Sequence, residues 1–465
     1  MNKSDNLWRA SLLCVLIIVL TTSGCDRHVI RSASEINTTG DVHEAILPNG
    51  LKVLIKPDRR APVVVSQVWY KIGSSYEYSG ITGISHMLEH MMFKGTDDLA
   101  PGEFSEIIAQ NGGRENAATS KDYTWYFQSI ASDRLELCLK LEAERMRDVR
   151  FEESEFLKER DVVAEERRRR YEDNPQSATY EQFAAVAYVN SPYHHLPIGW
   201  MVDIQNYSVK DAKRWYDTWY APNNAVLVVV GDVEPAEVVR LAEKYFGSLK
   251  RSAIPQPKPR EEIEQFGERR ISVHKPAQLP YILMGYKAPV LATVEDVSEV
   301  YALEVLAGVL DGGESARLSR NLVRGQQVAA NAGVGYDPYA RLEEVFILAA
   351  SPVGNVSIEE LEAALIGEIE KLKNEPIEAS ELARVKAQVV ASDVYERDSM
   401  YYQAMQLGGL EATGLGWRRA NEYVERVQAV TAEQVQAVAR KYLISRHLTV
   451  ATLIPETQGT GGTMQ

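Results

Sequence analysis

The feature that most constrains this 465-residue chain is a short, largely apolar stretch, residues 83–96, that carries His86, Glu89 and His90. On an α-helix the two histidines lie about 40° apart, and Glu89 lies about 60° to the other side of His86. The three side chains therefore project from one face, and Gly95 marks the predicted end of the helix. Two imidazoles four positions apart can bind one metal ion and leave the carboxylate to handle a proton. Taken alone, the pattern fits a metal site and a chance pairing equally well.

A candidate third ligand lies on a second predicted helix, residues 152–171, which has acids in its first turn and arginines in its last. Glu159 and Glu166 are seven positions apart, on the same stripe as two valines, so both carboxylates should face the packed side. A buried carboxylate is costly unless it is paired or binds a metal. Arg160 and Arg167 fall on this helix face too, so a simple pairing of the carboxylates with these arginines stays open.

With Glu166 placed 76 positions after His90, the set of residues resembles the motif of the pitrilysin/insulinase family of inverted-motif zinc peptidases. Within that family it is most similar to the processing-peptidase-like branch. The resemblance implies one Zn²⁺ ion held by His86, His90 and Glu166. It also implies that Glu89 is the general base and that Glu159 orients a ligand or the substrate. The implied activity is that of a zinc metalloendopeptidase acting on extended or unfolded peptides.

The resemblance spans residues 42–455 and agrees with a weak internal repeat. Residues 273–286 echo the predicted strand at 61–70, and the helix that follows them has no histidines. We therefore predict an α+β fold of two similar domains, each a mixed or antiparallel β-sheet packed with helices, of which only the first is metallated. The predicted parts are a zinc-binding domain at 42–250, a proline-rich linker at 251–266, a homologous domain at 267–455 and a disordered tail at 456–465.

The first 24 residues are predicted to be a targeting signal, because a positively charged start precedes an apolar stretch too short to span a bilayer. Residues 22–25 are similar to the bacterial lipoprotein signal, in which Cys25 is lipidated. Asp26 resembles the signal that retains such proteins at the inner membrane, and residues 25–41 would form a polar tether. The prediction is a periplasmic protein of the bacterial cell envelope with a lipid anchor in the inner membrane. An ordinary export signal and an uncleaved anchor are the alternatives.

The cysteine count and the net charge exclude an intrachain disulfide and argue against two kinds of binding surface. Cys14 and Cys25 belong to the signal and the lipidation site, so Cys138 is left alone and cannot form an intrachain disulfide. The net charge of −14 argues against nucleic-acid binding and against a basic membrane-binding surface.

Residues 111–127 are similar to the edge strand that receives the substrate backbone in this family, and the match carries over to Asn116 and Ala117. An edge strand can pair with an extended peptide through main-chain hydrogen bonds. An ordinary hairpin explains the same residues equally well. His194 and His195 are predicted to be polar loop surface rather than ligands.

The second half departs from the family pattern. The stretch around Arg317 matches a glycine-rich segment of the family, in which many members have an arginine followed seven positions later by a tyrosine. That pair grips the substrate and the tetrahedral intermediate. Neither Arg317, Arg320 nor Arg324 is followed by such a tyrosine, and Ala330 stands at its expected position.

We therefore predict a family-related partner subunit that supplies an Arg/Tyr pair, with a homodimer as the alternative. Two other functional classes compete with the peptidase. One is a non-catalytic subunit of the same family, and the other is a lipid-anchored binding protein whose histidines belong to the core.

Overall fold

Two β-sheets with the same topology form the framework of the protein. The computed structural model describes residues 34–258 and 260–456. The first sheet contains β1 (Asn37–Thr39), β2 (Val42–Ile46), β3 (Lys52–Pro57), β4 (Val63–Tyr70), β5 (Arg114–Thr119), β6 (Thr124–Ala131) and β7 (Ala225–Gly231). The second contains β8 (Arg269–Pro276), β9 (Tyr281–Ala288), β10 (Ala329–Gly335), β11 (Glu344–Pro352) and β12 (Leu448–Glu456).

The strand orders show that the second sheet repeats the first. The orders are β1-β2-β3-β7-β4-β6-β5 and β10-β11-β9-β12-β8. In each sheet one pair is parallel, β3 with β7 and β8 with β12, and the other pairs are antiparallel. Read from β3 and from β8, the two orders coincide. The predicted α+β fold of two similar halves, each with a mixed sheet, is confirmed.

Helices fill the connections between the strands. In the first half they are α1 (Ile84–Met91), α2 (Glu103–Gln110), α3 (Leu135–Arg147), α4 (Glu153–Arg167), α5 (Pro175–Ala187), α6 (Met201–Asn206), α7 (Val209–Trp219) and α8 (Pro235–Phe246). In the second they are α9 (Val297–Asp311), α10 (Ile358–Asn374), α11 (Ala379–Glu396), α12 (Met400–Ala412), α13 (Tyr423–Ala429) and α14 (Ala432–Tyr442). No helix among the described residues combines the length and the apolar character needed to cross a bilayer.

The two halves exchange one helix each. Helix α5, from the first half, packs on β8, β9 and β12 of the second sheet, and α12, from the second half, packs on β4 and β7 of the first. Phe183 of α5 is fully buried in a cluster with strand residues of the second sheet, and Leu407 of α12 is buried in a cluster with Trp69 and strand valines of the first. Each sheet therefore depends on the other half of the chain to cover one of its faces.

The segments flanking the first sheet differ in part from the expected linkers. Residues 37–39, which we assigned to the tether, are strand β1 and pair with β2 across a turn at Gly40, whose φ is +62°. The sequence hides this strand because its three residues are polar and exposed. Residues 251–258 and 260–268 form neither helix nor strand, in the region of the predicted linker. The signal, Cys25 and residues 457–465 of the tail lie outside the described residues.

The exchanged helix α12 sets a strict size limit at Gly408. A methyl group there would overlap the indole ring of Trp69. Trp69 is fully buried, stacks on Trp125 with ring centroids 5.2 Å apart, and donates from Nε1 to Gln67 Oε1 at 2.9 Å. The ring cannot move aside without breaking these contacts.

We therefore expect Gly408→Ala to lower the free energy of unfolding by about 1–3 kcal/mol, because overpacking forces neighbouring groups out of position. Gly367→Ala is the matched control, since an added methyl group there meets nothing within 4 Å. The control should raise the free energy of unfolding by roughly 0.5–1 kcal/mol through helix propensity. Urea unfolding followed by circular dichroism gives both values, and equal effects of the two substitutions would contradict the close packing of α12.

Candidate metal centre

Three potential metal ligands converge from two helices. His86 and His90 project from α1, and Glu166 projects from the last turn of α4. Glu166 Oε2 lies 3.4 Å from His90 Nε2 and 3.8 Å from His86 Nε2. One ligand atom from each residue lies within 4.8 Å of the other two. Tetrahedral zinc with bonds of about 2.0–2.1 Å holds its ligand atoms roughly 3.3–3.4 Å apart. The Glu166–His90 pair has this separation and the other ligand atoms lie farther apart, so the three residues suit a zinc ion that draws them together.

The protonation states of His86 and Glu166 also suit the binding of a cation. Burial, and then the neighbouring His90, lower the pKa of His86 below its usual range, which favours a neutral imidazole with a free lone pair. The hydrogen bond from His90 outweighs burial and lowers the pKa of the Glu166 carboxyl, so this group is ionised. A neutral imidazole and a carboxylate are the forms that bind zinc.

Glu159 orients His90 from the side opposite to Glu166. His90 Nδ1 lies 2.8 Å from Glu159 Oε1, and Lys94 Nζ lies 2.5 Å from Glu159 Oε2. Burial opposes the charge of His90, but its hydrogen bonds to the two glutamates outweigh burial and raise its pKa to about 9. Burial likewise opposes the ionisation of Glu159, and bonds to His90 and Lys94 outweigh it and lower its pKa. A histidine that gives one nitrogen to a carboxylate and the other to a metal is the usual arrangement in zinc sites.

Glu89 lies on the same helix and is half-buried. Its Oε2 accepts a hydrogen bond from Thr119 Oγ1 at 2.6 Å, which joins α1 to the last residue of β5. Burial raises the pKa of the Glu89 carboxyl, although the Thr119 bond opposes this shift. A carboxylate whose pKa is raised toward neutrality is suited to accept and return a proton.

The arginines of α4 do not neutralise the two carboxylates as the simple pairing would require. Arg167 is 5% exposed and forms two hydrogen bonds to Glu181 of α5, at 2.7 and 3.0 Å. Arg160 contacts the carbonyl oxygen of Gln205. The arginine that does reach a ligand is Arg170, whose Nη2 lies 3.0 Å from Glu166 Oε1, on the oxygen that faces away from the histidines.

The N-terminus of α1 receives a buried carboxylate from outside the helix. Glu77 is 1% exposed and accepts the backbone N–H of Gly83 at 2.7 Å and that of Ser85 at 2.8 Å. These donors have no partner within the helix, and a negative charge at a helix N-terminus is favourable. His195 packs here, with Nε2 3.1 Å from the carbonyl oxygen of Ser74 and 3.4 Å from Glu77 Oε2.

The surface position predicted for His195 is therefore wrong. It is 2% exposed, because its ring fills the space beside the buried Glu77 carboxylate. Of the other supporting residues, Arg170 follows Glu166 by four positions, and this helical spacing is a signal that identifies it. Lys94 lies beyond the end of α1 and pairs with Glu159 of α4, so helical spacing does not identify it. Thr119 and Glu77 reach α1 from other segments, and no local sequence pattern marks them.

Asn116 and Ala117 lie on β5, at the end of the first sheet. Among the described strands β5 pairs only with β6, so its other edge is open. The Ala117 N–H is bonded to the Asn116 side chain at 2.9 Å rather than to β6, which places it on this open edge. Because β5 also packs against α1, the open edge lies beside Glu89.

Arg317 is not among the residues grouped around α1. It is 9% exposed and forms a two-pronged ion pair with Glu381 of α11, with distances of 3.1 Å and 2.7 Å. Its guanidinium is therefore engaged within the second half.

Known proteins resemble this chain over most of its length. Residues 52–196 match the family model described as Insulinase (Peptidase family M16), and residues 206–389 match the model described as Peptidase M16 inactive domain. The zinc protease PqqE of Helicobacter pylori is 39% identical over 381 residues, which cover 81% of this chain and 83% of that protein.

Solved structures show the same fold. A crystal structure of a protease from Helicobacter pylori superposes with a TM-score of 0.84 at 36% identity, covering 89% of this chain and 99% of that one. The periplasmic protease PqqL from Escherichia coli gives a TM-score of 0.76 at 19% identity, covering 90% of this chain but 48% of that one.

The ligand geometry predicts that Glu166→Gln weakens zinc binding by at least about 100-fold, since losing even an outer partner of a ligand can cost 10–100-fold. Glu165→Gln is the matched control, because Glu165 is exposed and its side chain bonds only Arg168 among residues 34–258 and 260–456. Competition with a chromophoric chelator measures both affinities. Similar affinities in the two variants would remove Glu166 from the set of ligands.

Proposed function

Because the chain belongs to the insulinase family of peptidases, family M16, we propose that it is a zinc-dependent endopeptidase that hydrolyses extended or unfolded peptides outside the cytoplasm. The observation that carries this proposal is the convergence of His86, His90 and Glu166. A second carboxylate, that of Glu89, lies on the same helix as the histidines and is held separately by Thr119. A chain that used these residues only as a core would have no need for this separate carboxylate.

Each residue of the site has a distinct role in the proposed reaction. Zinc held by His86, His90 and Glu166 would polarise a water molecule and the peptide carbonyl, lowering the pKa of the water toward neutrality. Glu89 would take the proton from the attacking water as the water oxygen bonds to the peptide carbonyl carbon, and would deliver that proton to the amine as the C–N bond breaks. Thr119 holds Glu89 Oε2, which leaves Oε1 for the proton, since no hydrogen bond from the described residues reaches it.

Glu159 is a positioning residue in this proposal. Its two oxygens are held by His90 and Lys94, so it fixes the ring of His90 rather than contacting the substrate. Of the two roles that the resemblance allowed, orientation of a ligand or of the substrate, the contacts favour the ligand.

The substrate backbone is proposed to lie along the open edge of β5. An extended peptide there would pair with the main chain around Ala117, with little dependence on its sequence. The Thr119–Glu89 bond links the end of this strand to the proposed base, so a peptide in this position would bring its carbonyl groups near α1. This arrangement supports endopeptidase activity on unfolded segments.

We further propose that the chain works with a second subunit of the same family. Arg317 is held by Glu381, and no tyrosine follows the candidate arginines at the spacing of the family. The 48% coverage of PqqL indicates that this chain corresponds to half of that protein, and two paired chains would restore its size. A homodimer is the alternative, and the match of residues 206–389 to a model described as inactive favours, as a second candidate function, a non-catalytic subunit.

We propose a lipid anchor at Cys25 in the bacterial inner membrane, facing the periplasm. The support is the sequence of residues 22–26. Cys25→Ser should shift the protein from the membrane fraction to the soluble periplasmic fraction, whereas Cys138→Ser, at a buried thiol, should leave it with the membranes. A Cys25→Ser protein that stays in the membrane would show an uncleaved anchor instead.

The decisive experiment for the peptidase compares the native chain with Glu89→Gln. We expect zinc in both proteins and a fall of about 100- to 10,000-fold in the hydrolysis of a quenched peptide library, because the variant lacks its base. Glu165→Gln should keep full activity.

Zinc in both proteins with no hydrolysis by either would favour the partner-dependent or non-catalytic subunit. Purification of the native complex from membranes then identifies the partner, and a single polypeptide species would exclude a heteromer. A native chain that binds no zinc contradicts the proposed function.

A further inference from the structure

Helices α1 and α4, which supply the ligands, need contacts that fix the distance between them. Zinc sites tolerate deviations of about 0.5 Å in ligand position. Glu166 lies one residue before the end of α4, and the chain widens into a π-helical turn at Arg168–Glu172 directly afterwards. A helix end of this kind does not fix a side chain by itself, so the support of Glu166 must come from outside α4.

Arg167 supplies such support from the position next to Glu166. Consecutive helical residues point about 100° apart, so Glu166 can face α1 while Arg167 faces α5. The Arg167 guanidinium is buried and donates from Nη1 to Glu181 Oε1 at 2.7 Å and from Nη2 to Glu181 Oε2 at 3.0 Å. Nη1 also donates to the carbonyl oxygen of Gly199 at 2.7 Å. One side chain thus joins α4, α5 and the loop before α6.

That loop rests directly on the start of α1. A methyl group at Gly199 would overlap the carbonyl oxygen of Thr82, and one at Gly83 would overlap the carbonyl oxygen of Ile198. Both glycines have positive φ, +78° and +89°, so the two segments cross at a point where side chains could not fit. Gly83 is three residues before His86.

Polar bonds keep the loop in this position. Asp203 Oδ2 accepts the Thr82 hydroxyl at 2.6 Å and the backbone N–H of Thr82 and of Gly80, each at 3.1 Å. The Trp200 N–H in turn donates to the Thr82 hydroxyl at 2.9 Å. These bonds therefore fix the loop against the start of α1.

We propose that Arg167, held by Glu181, is a positioning residue that sets the distance between Glu166 and the two histidines. A continuous path runs from His86 through Gly83 and Gly199 to Arg167, and from there to its neighbour Glu166. The inference rests on the proposed zinc function and adds a residue pair that does not touch the metal. The competing explanation is a buried ion pair that only stabilises the fold.

The chemistry of the pair calls for arginine. A guanidinium presents several donors in a rigid plane and can bond a carboxylate and a carbonyl at once, whereas an ammonium is a point charge on a flexible stem. Lysine at position 167 therefore keeps the charge opposite Glu181 but loses the simultaneous bond to Gly199. The substitution separates positioning from simple charge pairing.

The test measures zinc affinity in the purified full-length protein by chelator competition, under conditions where circular dichroism shows every variant folded. Arg167→Lys and Glu181→Gln should each weaken zinc binding roughly 10- to 100-fold, the effect typical of residues that support a ligand. The double variant should lose less affinity than the product of the two single effects, because Glu181 acts by holding the side chain at position 167. Arg168→Lys is the matched control, since Arg168 is exposed and its side chain bonds only Glu165 within the described part of the chain. The zinc affinity of this variant should stay within threefold of the native value.

Zinc affinity within threefold of the native value in Arg167→Lys would overturn the inference, even if the urea midpoint of the zinc-depleted protein falls. If Arg167→Lys does not fold, Glu181→Gln decides by the same threshold. A native protein that binds no zinc overturns the proposed function and the inference with it. Native zinc binding with an unaffected Arg167→Lys variant overturns the inference alone.

Discussion

The whole arrangement depends on holding a short helix still. Helix α1 has eight residues, and an isolated helix of that length is not stable in water. It forms here because Ile84, Met87, Leu88 and Met91 are fully buried and because Glu77 takes up its first free N–H groups. The polar face that remains can then carry two histidines and a glutamate at fixed positions, which is the requirement for binding and chemistry at one metal.

The sequence predicts the site residues that recur at helical spacing. It does not predict the residues that join the site through contacts between separate segments of the chain. Helical spacing predicts that His86, Glu89 and His90 share one face. The similarity of residues 273–286 to residues 61–70 predicts the repeat. Both signals are local sequence patterns. The roles of these residues came from resemblance to a family. Thr119 could not be predicted, since it reaches α1 from a strand thirty residues further along the chain. Glu77 is close in sequence, but no spacing pattern indicates that the loop between it and Gly83 turns its carboxylate onto the start of α1.

The same distinction explains two features that the sequence does not predict, the burial of His195 and the exchange of helices between the halves. Adjacent histidines on a loop predict polar surface residues, yet His195 packs against the buried carboxylate of Glu77. The sequence predicts two contiguous domains, whereas the packing crosses between the two halves through α5 and α12. A repeat can be recognised from similar strands, whereas an exchange of helices leaves no trace in either repeat alone.

The exchange of α5 and α12 also determines when the chain can fold. The face of the first sheet that holds Trp69 is closed by a helix that begins at Met400, more than three hundred residues later. Contacts between such distant segments form late and slow folding. During synthesis the first half would therefore wait with an open apolar face, a state that is prone to aggregation. The first half of the chain therefore completes its packing only after α12 has been made.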